Sequence, residues 1–414
     1  MDENKTINQR INPGFKPRKL PNARAGHRYR MHIGGDYISL NPLAVYRLDG
    51  IEKTGLHFIP EKKQITGIPK KSGSFEMQLN IREYNESGAE ELSTHPFKLI
   101  VEDDYDFQSG EADENDPYWK RDDEAYGISV NRNRKKRLKK DLAAASRRGL
   151  QHIEKGKARE DDFFIQYDAD TRWYVLAVAD GSGKAKYSRK GSGIACRSAV
   201  ESCLEQLTTQ ARELKKITIR YTPKKSDKIC REIVGQLHDI IASSVTHAYE
   251  NIVAEATKSE RLPEDYATTL LLCVCKKFEF GWLIGAFEAG DGAVCVYRKD
   301  DRYANLMGGG ASSPKKCFLT TPGILHPSEL EHRIRFTIVD DFSALFLMTN
   351  GVSNPKFGSK TDLPSVELWD RFWDDICSEV NFSGKTKTVS EELLKWLDFW
   401  APGKYDDRTI AVVF

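Results

Sequence analysis

Four acidic stations stand out in the second half of this 414-residue chain: Arg159-Glu160-Asp161-Asp162, Asp180-Gly181, Gly290-Asp291-Gly292 and Tyr405-Asp406-Asp407. Each borders a run with strand composition. REDD precedes FFIQYD, Asp180 ends WYVLAVA, GDG separates two apolar runs, and the last pair precedes RTIAVVF. Singly, each has an ordinary explanation, because Asp-Gly is a common turn and a carboxylate pair before a strand is a solvated cap. Carboxylates at strand ends can, however, meet on one edge of a sheet. Hard oxygen donors of this kind select Mg²⁺ or Mn²⁺, and no His/Cys set with metal-ligand spacing competes with them. Two such ions can share one water, acidify it and aim it in line at a phosphorus.

Other phosphate chemistries fail on spacing. GSGK at 181–184 suggests a phosphate-cradling loop, but that motif needs glycine at 178 and Ser or Thr at 185, where Val178 and Ala185 stand. No cysteine has the C-x5-R setting of a thiolate phosphatase, and no glycine-rich loop with a distal lysine argues for a kinase.

The elements that must carry these stations alternate beyond Gly149. FFIQYD and WYVLAVADG read as strands, 193–216 as an amphipathic helix, 227–256 as a second long helix, and ATTLLLCVCKKFEFGWLIGAFEAGDGAVCVYRKD as a strand meander, followed by FTIVDDFSALFLMTNGV and RTIAVVF. Strands, then two helices, then mainly antiparallel strands imply sheets with helices packed on the outside, an α+β layering. Alternation in LLLCVCK points Cys273 and Cys275 to one face. Residues 26–102 carry short strand-like pieces between turns, as in FEMQLNI, and predict a small all-β sandwich. Residues 1–25, with Pro13, Pro17 and Pro21 among basic residues, read as a flexible tail. Residues 103–147 read as a charged linker, acidic then basic, ending in a connector helix in LKKDLAAASRRG. Tyr118 and Trp119 lie in the acidic run, where nothing local can bury them, so a neighbouring domain is their expected contact. Residues 148–414 form the fourth segment and are expected to carry catalysis alone.

Composition is that of an ordinary globular protein, 39% hydrophobic and 30% charged, with a formal charge of +2. That balance gives no reason for general nucleic-acid binding, although 132–140 could form a basic RNA-binding stripe. No apolar run approaches the roughly 18 residues of a membrane span, and the polar N-terminus lacks the apolar core of a signal peptide. All eight cysteines lie beyond residue 190, a pattern that suits a reducing compartment better than a disulfide framework. A cytoplasmic location without membrane or nucleic-acid partners is expected.

The motifs GLQHIEKGKAREDDFF, VLAVADGSGKAKYSRKGSG, YATTLL, GDGAVCVY, LMTNGVSNPKF and DDRTIAVV fall, over about residues 148–414, in the order of the metal-dependent (type 2C) serine/threonine protein phosphatases. The chain resembles a bacterial branch of that family. GLHFIPEKKQITGIPKKSGSFEMQLNIREYN is similar to bacterial Ig-like repeats, which implies a binding or spacer module. The phosphatase resemblance implies an α+β domain of two packed antiparallel sheets flanked by helices, an αββα sandwich, and hydrolysis of phosphoserine or phosphothreonine through a metal-bridged hydroxide, with two or three Mn²⁺ or Mg²⁺ ions. It implies Asp180 as the carboxylate bridging both metals with the Gly181 carbonyl beside it, Glu160 on the second metal, and Asp161 ligating or positioning waters there. Asp406 would hold the first metal and Asp291 a third, weaker one. Asp161 and Asp180 become the expected catalytic carboxylates, while Thr268 and Thr269 are expected to be structural. A phosphorylated protein is the implied substrate and a Ser/Thr kinase the functional counterpart.

Two positions depart from the family pattern. Where the family has Asp-Gly after LMT, this chain has Asn350-Gly351, so an amide replaces a carboxylate at the first metal. The arginine that many members carry four residues before the glutamate is Gly156 here. Arg159, Lys184, Lys186, Arg189 or His152 could meet the phosphate instead; for His152 a packed, purely structural role is the preferred reading. These departures support an alternative, a catalytically impaired phosphatase fold that binds phosphoproteins as an interaction or regulatory module.

Overall fold

The computed structural model describes residues 8–10, 18–20, 22–33, 43–84, 90–103, 118–130, 139–221, 227–308, 317–399, 401 and 404–414. Most of the acidic run before Tyr118, and the basic run 131–138, lie outside these residues. The chain divides into one unit of residues 1–107 with 399–403, and a second of residues 108–398 with 404–414.

The first unit is all-β. The long antiparallel pair Gly73–Tyr84 and Glu90–Glu102 anchors a six-stranded sheet, with Val45–Asp49 on the far edge. Tyr29–His32, Gln64–Gly67 and Leu56–Ile59 form a three-stranded sheet. Met77, Leu79 and Ile81 are buried while Glu76 and Gln78 are exposed, the two-residue period of a strand with one wet face. These residues share a core with Tyr29, Leu56 and Ile65 of the smaller sheet, so the sandwich expected for 26–102 is present. The expected loose tail needs correction. Arg18–Lys19 and Ala23–Arg24 pair in parallel with Glu90–Glu102, and Leu20 and Ala23 are buried. Between the prolines and basic residues, the apolar side chains of Leu20 and Ala23 enter the core while the backbone pairs along the strand edge.

The second unit is the αββα sandwich. One sheet runs Asp123–Ile128, Leu142–Arg147, Arg408–Val413, Ala344–Met348, Ala293–Arg298, Tyr303–Gly308, and the other runs Asp162–Tyr167, Tyr174–Ala179, Leu270–Phe278, Gly281–Ala289, Ile334–Val339. Every neighbouring pair in both is antiparallel. Alternation sorts each strand between two cores. Leu176, Val178, Leu271, Cys273 and Cys275 meet the opposing sheet. Val175, Ala177, Leu270, Leu272 and Val274 instead face the helices Ser188–Thr209 and Asp227–Lys258. On the outer side of the first sheet, Phe346 packs against Trp369 and Phe372 of the helix Val366–Cys377.

The connector helix is not formed. Leu142–Arg147 is a strand inserted between Asp123–Ile128 and the C-terminal strand, with residues 142–145 buried. Alanine favours helix intrinsically, but LAAASR offers small side chains to a site flanked by sheet on one side and by the helix Thr386–Trp396 on the other. Close packing overrides propensity. The first long helix begins at Ser188 rather than 193 and ends at Thr209, with Ala211–Ile219 as a separate helix. Residues 118–147 therefore belong to the second unit, and the boundary expected at 148 falls inside it. Tyr118 packs within this same unit, edge-on to Tyr187 and Tyr266, while Trp119 is exposed.

Candidate active site

Strand register brings the acidic stations together. Asp162 pairs with Ala179, so Glu160 and Asp161 enter beside Asp180. Leu270 pairs with Ala289, which sets Thr269 near the turn that carries Asp291. In the other sheet Met348 pairs with both Ala293 and Ile410, so the residues before Ala293, after Met348 and before Arg408 share one edge.

Asp180 is fixed through its backbone. Its N–H donates to Thr269 Oγ1 at 2.7 Å, and its carbonyl accepts from Thr269 N at 2.8 Å and Thr268 Oγ1 at 3.1 Å. The two threonines thus hold the strand end from the neighbouring strand. Gly181 is required by closeness, because a Cβ there would sit 2.8 Å from Glu160 O and 3.0 Å from Glu160 Cβ.

Asp407 organises the other side. It is 1% exposed, and its carboxylate accepts from Gly149 N and Glu160 N at 2.6 Å each, His152 Nδ1 at 2.8 Å and Asp161 N at 3.2 Å. Burial opposes its ionisation, but the His152 hydrogen bond and charge and the backbone N–H groups outweigh it and hold the carboxyl below its ordinary range. Asp161 is fully enclosed, its Oδ2 accepting from Thr409 Oγ1 at 2.7 Å and Thr349 Oγ1 at 2.8 Å. Burial first, and then the charges of Asp407 and Asp406, push its carboxyl well above the usual carboxylate range. Asp406 is half-buried and sits close enough to take part in that shift. Burial likewise raises Glu160.

Asn350 opens the helix Asn350–Phe357, and its Nδ2 lies 3.4 and 3.5 Å from the two carboxylate oxygens of Asp291. Among the described residues, no three His, Cys, Asp or Glu side chains form a ready metal cage. Among the buried side-chain oxygens that make no hydrogen bond, two lie at this acidic edge, Glu160 Oε2 and Asn350 Oδ1. An unpaired buried acceptor costs free energy that a cation would recover, so the oxygen donor set fits a divalent ion. The protein phosphatase 2C family model matches residues 148–398, more than half of the chain.

The chain belongs to the protein phosphatase 2C family.

Similar solved structures include a bacterial serine phosphatase, 13% identical over 66% of this chain and 96% of that one, with a TM-score of 0.37. The serine/threonine phosphatase Stp1 from Staphylococcus aureus is 12% identical over 66% and 93% at 0.37. The serine-threonine phosphatase 2C from Toxoplasma gondii is 12% identical over 70% and 99% at 0.41. No curated protein matches the chain.

Within this phosphatase 2C domain, several expected residues fall elsewhere. Arg159 is corrected as a phosphate contact. It is 1% exposed, with Nη2 on Glu124 at 2.7 Å and Nε on the Arg121 carbonyl at 3.1 Å, so these two nitrogens are taken by the segment ahead of the domain match, while Nη1 is buried without a hydrogen bond. Arg189 is likewise engaged through Nε with the Tyr118 carbonyl at 2.9 Å. Lys184 and Lys186 are exposed on the loop leaving Asp180, with Lys186 over the Tyr187 ring. His152 is packed as expected, yet it lies within the site, with Nε2 3.6 Å from Glu160 Oε2. Asp407 was missed. Its signal was the doubled acid before RTIAVVF, in which only the second residue has the alternation that points inward.

Proposed function

We propose that this phosphatase 2C protein is a metal-dependent phosphoprotein phosphatase that hydrolyses phosphoserine and phosphothreonine. The supporting observation is two buried oxygens without a hydrogen bond, Glu160 Oε2, which faces His152 Nε2 at 3.6 Å, and Asn350 Oδ1, beside carboxylates whose backbones are tied down on both sheets. Glu160, Asp180 and the Gly181 carbonyl would hold one divalent ion, and Asp180, Asn350 and Asp406 another, with Asp291 as an auxiliary carboxylate. Mn²⁺ or Mg²⁺ bound there supplies an acidified water and neutralises charge on the phosphoryl group. The protein's own part is placement. Thr268 and Thr269 hold Asp180 at the strand end, Asp407 draws in the amides of Glu160 and Asp161, and Thr349 and Thr409 stop Asp161 from turning. Lys184 and Lys186, exposed near the site, would attract the phosphorylated segment. The expected setting is cytoplasmic, opposite a Ser/Thr kinase.

A second reading follows from Asn350. Its neutral amide turns its nitrogen toward Asp291 and lowers the negative charge offered to a cation. That favours an impaired enzyme that binds phosphoproteins. Hydrolysis of a phosphothreonine peptide with Mn²⁺, Mg²⁺ or EDTA separates the readings, using wild type, Asp180→Ala and Asn350→Asp. Metal-dependent turnover lost in Asp180→Ala supports the enzyme. Turnover only in Asn350→Asp supports the binding module, and no turnover in any of the three rejects the phosphatase.

A further inference from the structure

Lys120 lies in the segment leading into the strand Asp123–Ile128, ahead of the matched residues 148–398. Its ammonium donates to Asp162 Oδ2 at 2.7 Å, Ser192 Oγ at 2.9 Å and the Asp161 carbonyl at 3.3 Å. A lysine has three N–H donors, and all are used. Ser192 Oγ passes the grip on, donating to the Glu160 carbonyl at 2.5 Å. One cation therefore holds three consecutive residues, through a hydroxyl at Glu160, a carbonyl at Asp161 and a carboxylate at Asp162. Gly193 leaves the room for this ion pair, since a Cβ there would lie 2.9 Å from Asp162 Oδ2 and 3.9 Å from Lys120 Cε. The pair is largely shielded, with side chains 15% and 17% exposed.

The opposite edge of the same backbone is held by Asp407, which takes the N–H groups of Glu160 and Asp161. The amides are thus pulled one way and the carbonyls the other, which fixes the direction in which the two side chains leave the chain. We propose that Lys120 is a positioning residue, which by gripping the carbonyl edge of Glu160–Asp162 aims Glu160 and Asp161 at the divalent cation. The inference rests on the phosphatase reading for the identity of that cation. Lys120 touches neither cation nor substrate. It places part of the working site in a segment that precedes the family match.

The test uses full-length wild type, Lys120→Met, Lys120→Arg and Asp162→Asn, with Mn²⁺ affinity read directly from the signal of free Mn²⁺ and melting temperature read alongside. Residues that orient metal ligands typically affect affinity by about 10–100-fold. The expected result is Mn²⁺ binding at least about tenfold weaker in Lys120→Met, with a smaller loss in Asp162→Asn, which leaves the contacts to Ser192 and Asp161. A Lys120→Met protein that melts lower yet binds Mn²⁺ as wild type does would overturn the proposal and leave Lys120 a structural counter-charge. If Lys120→Met does not fold, Lys120→Arg decides. A guanidinium keeps the charge but cannot reproduce the three-way grip, so weakened Mn²⁺ binding at an unchanged melting temperature supports positioning and unchanged binding rejects it. Wild type that binds Mn²⁺ but hydrolyses no phosphopeptide would sink the phosphatase reading alone, whereas wild type that binds no Mn²⁺ sinks both.

Discussion

The Asp407 carboxylate accepts from His152 Nδ1 at 2.8 Å, while the other nitrogen of the same ring faces Glu160 Oε2 at 3.6 Å. An ionised carboxylate only accepts, so Nδ1 carries the proton in this pair. The imidazole is a wedge between a structural acid and a candidate metal ligand. Asp407→Asn keeps the shape but turns an acceptor into a donor that faces N–H groups. Loss of one partner of a buried ionic pair costs about 3–5 kcal/mol. Urea unfolding of the variant is expected to show a loss of that order, with the slope unchanged; a midpoint equal to wild type would show that Asp407 is dispensable.

The same pair sets a pH dependence. Burial works to lower the His152 pKa, but the Asp407 hydrogen bond and charge, with Glu160 and Asp406 behind it, raise it to about 9 from 6.5. A group raised in the folded state contributes stability that is complete below its unfolded value and is lost as pH climbs through the folded one. In EDTA, stability should therefore decline between about pH 6.5 and 9. His152→Gln, which cannot titrate, should show a flatter decline in that window. Equal slopes for the two proteins would remove His152 from the account.

A shortened chain tests the domain boundary. Residues 148–414 lack both Asp123–Ile128 and Leu142–Arg147 and leave the C-terminal strand Arg408–Val413 with an open edge. They also lack Lys120, and the partners Asp122 of Arg148 and Glu124 of Arg159. That fragment should aggregate or unfold without a cooperative transition, whereas residues 108–414 should unfold cooperatively. Circular dichroism on heating distinguishes them, and a cooperative 148–414 would contradict the assignment of these strands.

Gly351 carries a steric prediction. A Cβ at this position would lie 1.8 Å from the Asp407 carbonyl oxygen, which is backbone and cannot step aside. Overpacking ordinarily costs about 1–3 kcal/mol, and here it would also push the helix Asn350–Phe357 away from the strand start that carries Asp407. Gly351→Ala should lose at least that much stability and weaken Mn²⁺ binding together with it. A stable variant with undiminished Mn²⁺ binding would mean that the helix can shift without consequence.

The layering of sheets with helices outside, and the placing of four acidic stations at strand ends, were legible in the sequence because both follow from alternation. Period two sends Leu176 and Val178 to one core and Val175 and Ala177 to the other, and a carboxylate placed after such a run must emerge at the sheet edge. The stretch LAAASR misled because its composition favours a helix, and no local rule reveals that two strands lie either side of it. Arg159 misled in the same way. Its place beside Glu160 suggested phosphate, but the direction of its side chain was decided by Glu124 and the Arg121 carbonyl, which fold back from a segment that sequence alone had assigned to a linker. Asp407 and Lys120 are the clearest cases. Their roles consist entirely of contacts with residues far away in the chain, His152 and Glu160 for one and Asp162 and Ser192 for the other, and those partners exist only after the two sheets have closed. Sequence determined which residue types could bind a hard cation and in what order they come. The tertiary structure decided which of them point into the site, because pointing is set by hydrogen bonds between strands, and local sequence carries no record of those.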